Sequence, residues 1–258
     1  LTNCTFRSFT DSAVWLQSIS SPIVISSSYF IENSAFQVGS LDGGALRLDS
    51  LPDIFITDTV FLRNEAGSSG GAIFIKSGTS GSKATLHRVT SDENKAGARG
   101  GMLAVMRNAI VNLGNSTSNN DKSPLGSSIY FESSTLKCEA LAVVNAVAES
   151  VLERDVRTGF SNDSSAEDTL ADGVIDGTSI IECAAGELTL NGNSSIKGNT
   201  APTIIHGELC KAEFRHITVS NNSGTGVSMD SRSNVNIRSS TFESNVATGQ
   251  DGGAVRCF

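Results

Sequence analysis

Apolar residues alternate with polar ones in short runs along most of the chain, which is the period of a half-buried strand. One series reads Val14 and Leu16, Leu46 and Leu48, Ile73 and Ile75, Leu103 and Val105, Ile129 and Phe131, Val227 and Met229, then Val255 and Cys257. The residues between them are predicted to face outward: Trp15, Arg47, Phe74, Ala104, Tyr130, Ser228 and Arg256. A second short strand is predicted at Ile23-Val24-Ile25, Ile54-Phe55-Ile56, Leu188-Thr189-Leu190 and Val235-Asn236-Ile237. No run approaches the roughly 20 apolar residues of a membrane span.

Two short motifs recur in a fixed order. An apolar residue is followed three positions later by asparagine at Phe30/Asn33, Phe61/Asn64, Val219/Asn222 and Phe242/Asn245, with weaker copies ending at Asn94 and Asn199. Gly-Gly-Ala and an aliphatic residue follow at Gly43-Gly44-Ala45-Leu46, Gly70-Gly71-Ala72-Ile73 and Gly252-Gly253-Ala254-Val255, with Gly100-Gly101-Met102-Leu103 as a near copy. Neighbouring asparagines lie 31, 30, 23 and 23 residues apart. That period fits one coil of a solenoid, which buries its apolar face by stacking on the next coil. Asparagine tolerates left-handed backbone at a tight bend and can bond the next coil, so Asn33, Asn64, Asn94, Asn199, Asn222 and Asn245 are expected to form a ladder. The expected fold is all-β: a right-handed parallel β-helix, a pectin-lyase-like solenoid of about eight to ten coils.

The pattern divides the chain into coils over 1–136, an irregular insertion over 137–185, and further coils over 186–258. Within the insertion, residues 139–157 fit either a helix or two more strands. The chain opens on Leu1 and stops inside a repeat motif, which reads as a piece of a longer protein.

The five cysteines, Cys4, Cys138, Cys183, Cys210 and Cys257, show no zinc-ligand spacing. They are expected to form two disulfides and leave one thiol over, with Cys138 and Cys183 closing the neck of the insertion. The alternative is free thiols in the core, Cys257 being the best candidate by its inward register. Sequons at Asn3, Asn115, Asn162, Asn193 and Asn221 are candidate N-glycosylation sites.

A net charge of −8 argues against nucleic acid as a partner. Neither an N-x-D strand nor an Asp-Asp pair supplies the paired carboxylates of a glycoside hydrolase. His206, in Ile205-His206-Gly207, reads as an exposed or bend histidine, and His87 and His216 lack a serine-elbow partner. No cofactor and no metal are expected.

The ordered pair F-x-x-N and G-G-A-[ILV] resembles the repeats of the chlamydial polymorphic membrane proteins. Similar repeats occur in large surface proteins of algae and other protists. The resemblance rests on Phe30/Asn33 with Gly43-Gly44-Ala45-Leu46, Phe61/Asn64 with Gly70-Gly71-Ala72-Ile73, and Phe242/Asn245 with Gly252-Gly253-Ala254-Val255. It implies a right-handed parallel β-helix displayed outside the cell for adhesion or surface structure. With the sequons, a eukaryotic surface or filament glycoprotein is the better match.

The expected function is therefore a non-enzymatic structural segment of a secreted or cell-surface glycoprotein, such as a flagellar hair. Its partners would be N-linked glycans and further coils or copies stacking on open β-helix ends. An adhesive face using Trp15, Phe74 and Tyr130, or a polysaccharide lyase or hydrolase, are the alternatives.

Overall fold

The computed structural model describes residues 1–36, 41–78, 81–148, 151–152, 174–175, 179–230, 232–247 and 253–257. Every coil strand pairs in parallel with its counterpart one coil on, and the chain winds into a parallel β-solenoid of about 8 turns. Among the described residues there is no helix, and hence none that could cross a membrane.

Coils use three main strand tracks, and a fourth file of two-residue strands runs through Ser34–Ala35, Glu65–Ala66, Lys95–Ala96, Lys122–Ser123 and Val147–Ala148. The first carries the inward pairs, for example Leu46–Asp49, Ile73–Lys76 and Leu103–Met106, held in register as Leu46↔Ile73↔Leu103. The second runs through Ile23–Ser26, Asp53–Thr57, Ser82–His87 and Ala109–Gly114. In Ile129–Glu139, Ser179–Asn191 and Thr200–Arg215 the two tracks fuse into one long strand. These strands turn at Ser133, Ala185 and Leu209, each with a positive φ. The third track is a nine-stranded sheet of three-residue strands, from Thr5–Arg7 through Tyr29–Ile31 and Val60–Leu62 to Thr241–Glu243.

The inward residues fill one continuous core. In the third track Phe6, Phe30 and Phe61 stack on one another, with ring centroids 4.8 and 5.1 Å apart. That separation is the coil spacing itself, so identical residues in a file touch without adjustment. The glycine pair has two separate causes. Gly43 has a φ of +68°, and a Cβ there would sit 2.2 Å from the Leu46 carbonyl oxygen. Gly44 lies where two coils approach, and its Cβ would sit 2.2 Å from the Gly71 carbonyl oxygen. The first glycine serves the turn and the second the stacking distance.

Three expectations change. Residues 137–148 and 179–185, assigned to the irregular middle by pattern, run in coil register: Cys138 pairs with Leu190, and Cys183 with Phe131. Strand replaces the helix alternative at Ala142–Val144, because Val143 occupies the core file between Ser118 and Ile196. Val151–Leu152 and Val174–Ile175 form an antiparallel pair; the remainder of 149–178 lies outside the described residues. Lastly, the outward row is mostly covered. Trp15 is 49% exposed, but Phe74, Ala104, Tyr130 and Ser228 are buried and Arg47 and Arg256 half-buried. Row neighbours flank each side chain at the coil spacing, and guanidinium groups lie over two of the rings: Arg47 over Trp15 at 4.8 Å and Arg99 over Tyr130 at 5.3 Å.

Candidate functional site: the asparagine file and the coil corners

The F-x-x-N motif places four residues in four environments. The aromatic points into the core, and two residues on the chain enters left-handed backbone, as at Glu32, Arg63 and Glu93. The asparagine then turns inward. Asn64 shows the full pattern. Its Oδ1 accepts from the Asn33 backbone N–H (3.1 Å) and from Asn33 Nδ2 (2.9 Å). Its Nδ2 donates to the Phe30 carbonyl (2.9 Å) and to Asn94 Oδ1 (2.9 Å). Asn199, Asn222 and Asn245 repeat the arrangement in the later coils. Both side-chain polar atoms of Asn64 are thereby satisfied, which a core position demands.

Between these two runs stand Asp121 and Ala146, which the motif search did not find. Asp121 takes the ladder position and accepts from Asn94 N (2.9 Å) and Asn94 Nδ2 (3.1 Å). Its second oxygen accepts from Ser91 Oγ (2.8 Å) and Ser118 Oγ (2.5 Å). Ser91 and Ser118 fill the file that holds phenylalanine in the earlier coils. Burial pushes the Asp121 carboxyl up to about 6, against the pull of its donors. The signal for this site was a spacing of 27 residues from Asn94; both motif letters had changed, so the pattern was lost.

The described sequon asparagines all lie at coil corners. Asn3, Asn115, Asn193 and Asn221 are exposed, and each has a positive φ. Asn162 lies outside the described residues. Corners elsewhere carry ion pairs between coils. Arg88 grips Asp58 through Nε (2.6 Å) and Nη2 (2.7 Å), which holds the Asp58 carboxyl below its usual range. Arg63 and Arg7 do the same to Glu32.

The cysteines pair differently from expectation. Cys183 joins Cys210, with Cα atoms 6.1 Å apart across adjacent coils. Cys138 sits in the second track beside Leu190, past the turn at Ala185 that separates it from Cys183. Cys183 is bonded to Cys210 instead, so the expected neck bridge does not form. Cys4, Cys138 and Cys257 are free thiols. Cys138 is the buried one, and burial pushes its thiol up; Cys257, expected inside, is exposed.

His206 is not a bend residue either. It lies within Thr200–Arg215, half-buried, with Nδ1 2.7 Å from Glu182 Oε1. The buried Glu182 also accepts from Ser179 Oγ (2.6 Å), and its carboxylate raises the His206 pKa. His216 occupies a corner with a φ of 54°. Among the described residues, no three His, Cys, Asp or Glu side chains converge as a metal site would require.

Internal files of stacked asparagine and phenylalanine, wound in parallel coils, define a β-solenoid repeat protein. Residues 58–76, one F-x-x-N and its following Gly-Gly-Ala-Ile, match the Chlamydia polymorphic membrane protein repeat. That repeat is associated with cell-surface proteins. No curated protein and no solved structure matches the chain.

Proposed function

We propose that this chain is a rigid, non-enzymatic segment of a secreted or cell-surface glycoprotein. The repeat match supports surface display. The observation that carries the structural role is the ladder: side chains that elsewhere bind ligands are turned inward and spent on joining coil to coil. Such stacking makes a quasi-one-dimensional body whose length scales with the number of repeats. The adhesive alternative loses its aromatic row, since Phe74 and Tyr130 are buried.

The finer reading is a filament. Among the described residues Val14–Gln17 pairs on one side only, as does Val255–Cys257 at the other end. Unpaired strand edges accept further strands, so coils of the same chain or of another copy would continue the rod.

Labelling intact source cells with a membrane-impermeant amine reagent tests the location. Peptides of this chain should carry the label before lysis, and recovery of label only after lysis would refute surface display. The mass of the native parent should fall when N-glycans are removed; an unchanged mass would refute the glycoprotein part. Negative-stain micrographs of concentrated protein should show rods longer than one chain, and only compact monomers would refute the filament.

A further inference from the structure

The corner formed by His87, Arg88, Gly114 and Asn115 has a hydrogen-bonding inconsistency whose resolution identifies a modification site. Arg88 is fixed by its two bonds to Asp58, and its Nη1 lies 2.7 Å from His87 Nδ1. A guanidinium can only donate, so Nδ1 must accept. The imidazole is then neutral and its proton sits on Nε2. The Asn115 side-chain amide lies 2.9 Å from that same Nε2. With its nitrogen facing the ring, two donors would oppose each other. The amide oxygen and nitrogen are interchangeable in position, and the network decides between them. Oδ1 therefore faces His87, and Nδ2 is turned away from it toward solvent.

Asn115 belongs to an Asn-Ser-Thr sequon, is exposed, and stands at a left-handed corner with a φ of 48°. Beside it, the outward row reads His87, Gly114, Glu139, Asn191 in successive coils. Gly114 lacks a side chain and the His87 ring lies over it, its Cδ2 3.1 Å from where a Cβ would stand; the notch beside them is lined also by Thr85, Asn112 and Lys137.

We propose that Asn115 carries an N-linked oligosaccharide whose first sugar lies in the Gly114 notch. This inference rests on the secreted-glycoprotein reading. The donor is a lipid-pyrophosphate-linked oligosaccharide. The bond from sugar C1 to the pyrophosphate oxygen breaks, the bond from C1 to Nδ2 forms, and the amide gives up one proton. His87 is a positioning residue: it holds Oδ1, fixing the direction in which the glycan leaves the chain. Asn3, Asn193 and Asn221 show no such anchored amide among the described contacts, so sugars there would extend freely.

The test is site-resolved glycopeptide mass spectrometry on the chain secreted from a eukaryotic cell line, before and during native-state treatment with an N-glycan amidase. Occupancy is expected at Asn115. Its glycan should be released about fivefold more slowly than those at Asn3, Asn193 and Asn221, the factor to which one net hydrogen bond corresponds. Gly114→Val crowds both the notch and the His87 ring without creating a sequon and should remove the protection. An empty Asn115 beside occupied sequons elsewhere overturns this inference and leaves the glycoprotein reading standing. Empty sequons throughout overturn both. Release at equal rates overturns the seating in the notch. Independently, nitrogen-15 spectra of unglycosylated protein should show His87 as the Nε2–H tautomer; the Nδ1–H tautomer or an imidazolium overturns the amide assignment.

Discussion

Acid should stabilise this protein through Asp121, and Asp121→Asn should remove the effect. The carboxyl is fully buried, and desolvation raises its pKa from 3.8 to about 6. The folded state thus holds a proton over a pH range in which the unfolded chain has released it. The stabilisation is complete below the unfolded pKa and is lost as the pH rises through the folded one. A shift of about two units corresponds to about 3 kcal/mol in all. About 2 kcal/mol of that falls between about pH 4.5 and pH 7.5. The Asp121→Asn variant keeps the acceptor for Asn94 N and Nδ2 but cannot ionise. It also denies the Ser91 and Ser118 hydroxyls their acceptor, which costs about 1 kcal/mol each at either pH. The assay is urea denaturation followed by far-ultraviolet circular dichroism at the two pH values. His206 shifts stability in the same direction, since Glu182 raises its pKa, but it is common to both proteins and cancels in the difference. The gap between wild type and variant should move by about 2 kcal/mol in favour of wild type on acidification. A gap that does not change with pH would refute the reasoning.

Asn64→Ala removes four bonds and strands the Asn33 backbone N–H in the core, while Asn94 Oδ1 keeps the Asn64 backbone N–H; a loss of about 3–4 kcal/mol is expected in the same denaturation assay. Replacing both Cys183 and Cys210 by alanine opens a bridge across a sequence separation of 27. Loop-closure entropy predicts a loss of about 3–4 kcal/mol, read as a lower melting temperature that no longer responds to reductant. Gly44→Ala drives a Cβ against the backbone oxygens of Gly71 and Glu65. It should cost more than about 3 kcal/mol or prevent folding, and a variant melting with the wild type would refute the close-approach account.

The coil architecture was legible because it is periodic. Leu46, Ile73 and Leu103 share a file since each lies one repeat from the next, and the alternation within each run assigns the face. What was not legible required the register between coils. Cys183 and Cys210 are separated by about one repeat, but no pattern marks them, and the choice among five thiols depends on which two lie beside the same bend. Glu182 and His206 likewise meet only because their strands align residue for residue. The outward row misled for another reason. Alternation says which way a side chain points, not what lies over it, and Phe74 and Tyr130 are outward in register yet covered.

The ladder's polarity explains why its interruption takes the form it does. Each asparagine accepts from the coil before it and donates to the coil after it. Opposite Asp121 the next position is Ala146, which offers no acceptor. An asparagine at 121 would leave a ladder donor unanswered there, whereas an ionised aspartate has none to place. Two oxygens that only accept suit the last rung of a run, and the two serines in the phenylalanine file supply what the second oxygen needs. Beyond Ala146 the ladder restarts, with Asn199 Oδ1 accepting from the Ala146 backbone N–H at 2.8 Å. Ala146→Asn should therefore join the two runs. Its Oδ1 would face the Asp121 backbone N–H, and its Nδ2 would reach Asn199 Oδ1, as Asn199 now reaches Asn222. The new Oδ1 would also stand opposite the second oxygen of Asp121, so the two new buried bonds predict a gain of about 1–2 kcal/mol below about pH 6, where Asp121 carries a proton to donate, and a smaller one when it is ionised. The gain should vanish when Asn199 is also replaced by alanine, because the new amide would then have no partner. A gain that survives Asn199→Ala would show that added packing rather than ladder closure is responsible.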